Sequence, residues 1–342
     1  TIPAAEVDAT GRTAVAFRDA LPWPQLTQLS EAAEETGYEA VFVPEIAGRE
    51  AFSTLTGLTA ATSELRLGTG VISMWSRSPA TLAMAAATVH ELSGGRLILG
   101  IGAGAGSTPG PVATALRARA GPIDLVRSYV QAVKRILSGD QAGAAHDDLF
   151  PTEGFTFGVA LPQGPPPVWL AALGDRMVAL GGEIADGVLL NWCTPERVEK
   201  ARRSVTDVAE RSGRDPRTVT LAVYVRACLG VEDPIALEAL REMTGLYALI
   251  PHYRAQMDLM GLGDAAAIAA KAYQGGQAQD VPDSLVKALA VTGGRREALE
   301  RFEAYRQAGA DLVICYPVAA LEPFSSILGT VLTAAPHPQM DR

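Results

Sequence analysis

Short runs of β-branched and apolar residues alternate along the chain with longer stretches whose apolar positions recur at helical spacing. That is the pattern of a parallel sheet assembled from βα units. The strands read Thr13–Phe17, Ala40–Val43, Leu65–Ile72, Arg96–Gly100, Val168–Ala171, Gly187–Leu190, Val219–Ala227 and Asp311–Cys315. The helices read Pro24–Thr36, Ala51–Ala61, Pro79–Leu92, Pro122–Ser138, Arg176–Ile184, Pro195–Ser212, Arg295–Ala308 and Leu321–Leu332. Three junctions, at Thr36–Val43, Ala185–Leu190 and Gly309–Ile314, share a glycine near the helix exit followed by an apolar strand, as short αβ loops require.

The rhythm is interrupted three times. Residues 103–121 carry glycines and prolines without a helical period and read as a long loop; 139–167 read as irregular; 232–292 read as wholly helical, broken at Pro251 and Pro282. Loops of that length inside a compact domain are usually functional or disordered. Eight strands each followed by helical material make a (β/α)8 TIM barrel with insertions the economical reading, with residues 1–342 as a single domain, and a doubly wound sheet its rival. No fixed-length repeat supports a solenoid.

Composition narrows the function classes. A formal net charge of −9 argues against a chain that lives on nucleic-acid phosphates. No apolar run approaches the roughly 20 residues of a membrane span, no secretory leader pattern opens the chain, and Cys193, Cys228 and Cys315 are dispersed. A soluble cytoplasmic protein with reduced thiols, no disulfide framework and no metal site is expected.

The loudest local signal is Gly100-Ile-Gly-Ala-Gly-Ala-Gly106 directly after a strand. As a dinucleotide fingerprint it fails, because Pro109, Gly110 and Pro111 follow where a helix should open on the pyrophosphate. What remains is a glycine loop that lets backbone approach a ligand closely, or a merely flexible one. Gly68 and Gly70 inside the third strand point either to a bulge beside a flat ligand or to tight barrel layers. Gly174, Asp175 and Arg176 open a helix after the fifth strand and read as a phosphate cradle or an ordinary N-cap. Glu45 immediately follows the second strand, at the end where barrel catalysis takes place. Trp75 and Trp192 follow strands three and six and can wall an apolar pocket, and His252 beside Pro251 is the histidine placed to face a substrate. His90 reads as surface or packing, His146 and His337 as solvated, while Asp186 and Asp311 precede their strands, at the stabilising end.

Together these stretches resemble luciferase-like oxidoreductases that use coenzyme F420. The likeness is carried by Gly37-Tyr-Glu-Ala-Val-Phe-Val-Pro-Glu45, Arg66-Leu-Gly-Thr-Gly-Val71, Arg77-Ser-Pro-Ala80, Glu91–Gly102, Ile184–Val188, Val281–Val286 and Gly309–Asp311. The resemblance implies a homodimeric barrel enzyme that holds a deazaflavin at its C-terminal mouth and a small organic substrate beside it. It implies a non-prolyl cis peptide at Gly70–Val71 whose bulge backs the ring, with Ser73 close by and the phosphate tail running over Gly102, Ala103 and Gly104 toward Gly174–Arg176. Hydride transfer follows, the protein supplying position and electrostatics. The chain departs from the pattern where several such enzymes carry a histidine and a glutamate, at Ile46 and Ala105, so Glu45 becomes the candidate general acid. An FMN-dependent two-component monooxygenase on the same fold and a non-catalytic binding member are the alternatives.

Overall fold

The computed structural model of the chain describes residues 11–18, 21–104, 110–139, 148–152, 155 and 157–337. In chain order the elements are β1 (Thr13–Ala16), α1 (Trp23–Glu35), β2 (Ala40–Val43), α2 (Ala51–Thr59), β3 (Arg66–Thr69), β4 (Ile72–Ser73), α3 (Pro79–Leu92), β5 (Leu97–Gly102), α4 (Pro111–Arg119) and α5 (Pro122–Ser138). The second half follows with β6 (Val168–Ala171), α6 (Asp175–Ile184), β7 (Gly187–Asn191), α7 (Pro195–Arg211), β8 (Thr220–Leu229), α8 (Asp233–Leu249), α9 (Pro251–Leu259), α10 (Gly263–Gln274), α11 (Asp283–Leu289), β9 (Ala290–Gly293), α12 (Arg295–Gln307), β10 (Leu312–Pro317) and α13 (Pro323–Thr333).

All pairings are parallel, and β10 bonds to both β1 and β8. The ring β1-β2-β3-β5-β6-β7-β8-β10 is therefore closed and leaves no barrel edge unpaired, the (β/α)8 arrangement expected from the alternation. The strands feed two cores, as barrel strands must. Inward residues, among them Phe42, Trp169, Tyr224, Ile314 and Tyr316, fill the barrel, while outward residues such as Val41, Leu67 and Val188 pack under the helices. Helices start where the chemistry directs: Glu50, Ser78, Thr194 and Glu322 each accept a first-turn backbone N–H, and proline sits in the first turn of α3, α7 and α13. Asp186 and Asp311 tie the strand N-terminal ends, accepting the amides of Val168 at 2.9 Å and Leu221 at 2.7 Å.

The sequence reading needs correction at three places. Residues 111–119, expected as loop, form α4: Pro111 opens it and alanines and arginines sustain it, but only Ala113 and Leu116 are buried, too few to print a period. Residues 290–292, expected as helix, begin β9, which pairs with Arg226–Leu229; four residues following the apolar face of α11 carry no period of their own. The single strand expected over Leu65–Ile72 is split into β3 and β4. His90 is buried within α3, while His146 and the greater part of 139–156 lie outside the described residues.

Candidate active site

The split between β3 and β4 builds the first feature of the C-terminal mouth. Gly68 pairs with Ile98 and Ile72 with Ile101, so four steps on one strand face three on the other, which is a bulge. The peptide bond between Gly70 and Val71 lies within it and is cis, as the resemblance implied. Thr69 staples the bulge to β5: its buried hydroxyl donates to the Gly100 carbonyl at 2.8 Å and accepts the Gly100 amide at 2.7 Å. The Gly70 amide donates to Val43 at 2.8 Å, and the Tyr224 hydroxyl reaches the Gly70 carbonyl at 3.4 Å. A methyl group on Gly70 would fall 2.1 Å from that hydroxyl oxygen, so a side chain here would displace Tyr224. Gly70, Val71, Ser73 and Gly102 are thus brought together, with Met74 donating to the Gly102 carbonyl at 3.0 Å.

Beyond the bulge lies a cavity of about 500 Å³, lined among others by Met74, Trp75, Ala103, Gly104, Arg117 and Gly121. Trp75 donates its indole N–H to the Ala103 carbonyl at 2.9 Å, and Arg117 stands over its ring at 5.0 Å. Gly104 has φ +70°, and a side chain there would meet Ser73 Oγ at 2.2 Å. Trp75, expected at the substrate, therefore belongs with the glycine loop. Neighbouring β6 leads to Gly174, the N-cap of α6, over which the space is open. Asp175 does not cap that helix: its carboxylate turns to α7, meeting Arg197 at 2.5 Å and Lys200 at 2.8 Å. Lys200 and then Arg197 hold this carboxyl below its ordinary range, and Arg176 is exposed.

Glu45 stands at the end of β2 as expected, but both of its oxygens are engaged. Arg77 donates to them at 2.7 and 2.8 Å, and the Ala51 amide to Oε2 at 3.1 Å. Arg77 also pairs with Glu50, stacks on Phe52 at 5.3 Å, and offers its carbonyl to Tyr129 Oη at 2.9 Å. Bidentate geometry of this kind fixes the orientation of a carboxylate. Ile46, beside it, is exposed.

A second cavity, of about 890 Å³, opens between the loops after β1, β2 and β10 and helix α8, with Arg18, Ile46, Glu242, Tyr273 and Tyr316 among its lining. Behind Tyr316 sits an aromatic cluster that sequence reasoning missed apart from Trp192 and His252. Tyr224 packs edge-on to Tyr316 at 5.6 Å, Trp192 against Tyr247 at 4.7 Å, Tyr247 against Tyr253 at 4.8 Å, and His252 against Tyr253 at 4.6 Å. Asn191 donates to Tyr253 Oη at 2.8 Å, and Gln256 Nε2 to the Asn191 carbonyl at 2.6 Å, docking α9 on the end of β7. Burial lowers the His252 pKa and raises that of Tyr316 to about 12. At the centre is Arg226, buried and ringed by four aromatic side chains. A signal for it existed: it is the only charge in an otherwise apolar ten-residue strand.

Comparison with known proteins accords with this geometry. The profile of the luciferase-like monooxygenase family matches residues 4–312. A 5,10-methylenetetrahydromethanopterin reductase from Archaeoglobus fulgidus is 25% identical over 310 residues, 88% of this chain and 91% of that one. Its counterpart from Methanolobus tindarius is 30% identical over 219 residues, 63% of this chain and 64% of that enzyme, a little under two thirds of its length. The solved structure of a coenzyme F420 dependent tetrahydromethanopterin reductase from Methanopyrus kandleri superposes with a TM-score of 0.76 at 20% identity, covering 95% of this chain and 98% of that one.

Proposed function

The chain belongs to the luciferase-like monooxygenase family, and we propose that it is an oxidoreductase moving a hydride between coenzyme F420 and a small organic substrate. The observation that carries this reading is the bulge at Gly70–Val71, flanked by Gly102 and the glycine loop, in a chain whose relatives include enzymes named for that coenzyme. The fit is physical. The absence of side chains at Gly70, Gly102 and Gly104 lets Tyr224, Val71 and Ser73 pack against the backbone of the bulge and loop, and Gly104 and Arg117 line the 500 Å³ cavity beside it. The bulge would hold the tricyclic ring, and Trp75, Gly104 and Arg117 would hold the anionic tail.

When bound, the deazaflavin supplies the carbon that carries the hydride. The chain's own residues do the rest. Val71 would support the ring, Tyr224 fixes the bulge through the Gly70 carbonyl, and the aromatic cluster would keep water from the barrel axis. We assign Glu45 to holding the β2 loop in place through Arg77 rather than to donating a proton. Tyr316 Oη, which keeps its proton at neutral pH, is a proton-bearing atom on the wall of the larger cavity.

The test is a fluorescence titration of the purified protein with F420, its reduced form and FMN. Binding of F420 is expected. Binding of FMN alone would move the assignment to an FMN-dependent monooxygenase, and binding of none would overturn both enzymatic readings in favour of a non-catalytic member.

A further inference from the structure

Alternation along β8 sends Ala222 and Tyr224 into the barrel, and Arg226 continues that series toward the mouth, with Tyr316 of β10 as its register partner. Two arginines are buried among the described residues. Arg197 meets Asp175 and the Leu173 carbonyl. Arg226, 2% exposed, has no carboxylate paired with it among the described residues, and its Nε and Nη1 have no hydrogen-bond partner there. The ring faces of Tyr316 at 3.9 Å, Trp192 at 4.8 Å, Tyr247 at 5.5 Å and Tyr224 at 5.8 Å attract the charge. They offer no acceptor to its N–H groups, and a buried cation without one is costly. Two more polar atoms of the same cluster, Trp192 Nε1 and Asn191 Oδ1, are also buried and unpartnered.

We propose that Arg226 binds an anionic group, carboxylate or phosphate, of the substrate at the axis of the barrel mouth. This rests on the reading of the mouth as the substrate site and gives that substrate a chemical class. Trp192 Nε1 is a second donor for the anion, and Asn191 Oδ1 accepts from a hydroxyl next to it. One ring separates the guanidinium from open space: Tyr316 lies on Arg226 and also lines the 890 Å³ cavity. Displacing that ring admits the anion, which then exchanges a cation–π contact for a charge-assisted hydrogen bond.

Trp192 reports on this directly. Inorganic phosphate and acetate are titrated separately at constant ionic strength, following the tryptophan emission of the wild type. A saturable change in the range of about 1–10 mM with one of the two anions is expected, phosphate or acetate identifying which group is preferred. Arg226→Met should weaken it about 10–100-fold, the effect of losing a hydrogen bond to a charged group. Arg226→Lys, which keeps the charge, should retain part of the response and serves if the Met variant does not fold. No saturable change in the wild type, or an unaltered titration in either folded variant, would overturn the proposal. Competition between the anion and F420 would also overturn it, because Arg226 would then belong to the cofactor. If F420 fails to bind at all, the proposed function falls while the anion titration stays readable.

Discussion

Replacing Thr69 by valine tests whether the bulge at the mouth is held by the hydroxyl or by shape alone. Valine keeps the β-branch and the volume, so the packing of a fully buried side chain changes little. What it removes is one oxygen that satisfies both polar groups of Gly100, as acceptor at 2.7 Å and donor at 2.8 Å. Each of the two buried groups left without a partner costs about 1–3 kcal/mol, so the variant should lose about 2–6 kcal/mol. With an unfolding entropy of about 2.1 cal/mol/K per residue over 342 residues, that is a fall in Tm of roughly 3–8 °C. Thr69→Ser, which keeps the hydroxyl and loses only a methyl, is the control. Thermal unfolding followed by circular dichroism at one scan rate gives the ranking. A valine variant as stable as the serine variant would refute the reasoning, whatever either does to cofactor binding.

Three further outcomes are expected. Glu34 of α1 accepts the backbone amides of Ser63, Glu64 and Leu65, which hold its carboxyl below the usual value of 4.5 against the opposing effect of burial. Its contribution is complete above 4.5 and is lost as pH falls through the lower folded value. Glu34→Ala should accordingly cost about 1–3 kcal/mol at pH 7 in urea unfolding and less at pH 3; an equal loss at both would exclude the linkage. Burial pushes Cys193 and Cys315 up to about 12 and Cys228 to about 11. A thiol reagent should therefore modify none of them until the chain unfolds, and rapid labelling of the native protein would contradict the packing. Gly104→Ala should lower F420 affinity and also destabilise the loop, since its methyl meets Ser73 Oγ and Trp75; retained affinity would mean the glycine loop is not a ligand surface.

Much of this was legible in the sequence because barrel strands are apolar, short and regularly spaced. All eight ring strands were found, and the resemblance located the cis peptide to the residue. The bulge was legible as one of two readings, because a strand that carries Gly68 and Gly70 gives up packing that something else must explain. Helix α4 was hidden because it buries only two residues, and β9 because it inherits the apolar tail of α11. The clamp on Glu45 was not legible: Arg77 is 32 positions away, and only the barrel makes them neighbours. The same holds for the aromatic cluster, whose members come from β7, β8, α8, α9 and β10.

Strand β8 has a consequence for how the mouth opens. Its ten residues are shared: through Ala227 it pairs with β10 inside the ring, and from Arg226 onward it pairs with β9 outside it. Helices α8–α11 leave from the end of β8 and return as β9 on that same strand, so the segment is a loop sewn at both ends to one thread of the barrel. A structure anchored this way cannot swing aside on a hinge without unzipping four residues of ladder. On the function proposed above, ligands would enter and leave by side-chain rearrangement under a standing roof, and new substrates would be accommodated by resculpting that roof rather than by loosening it.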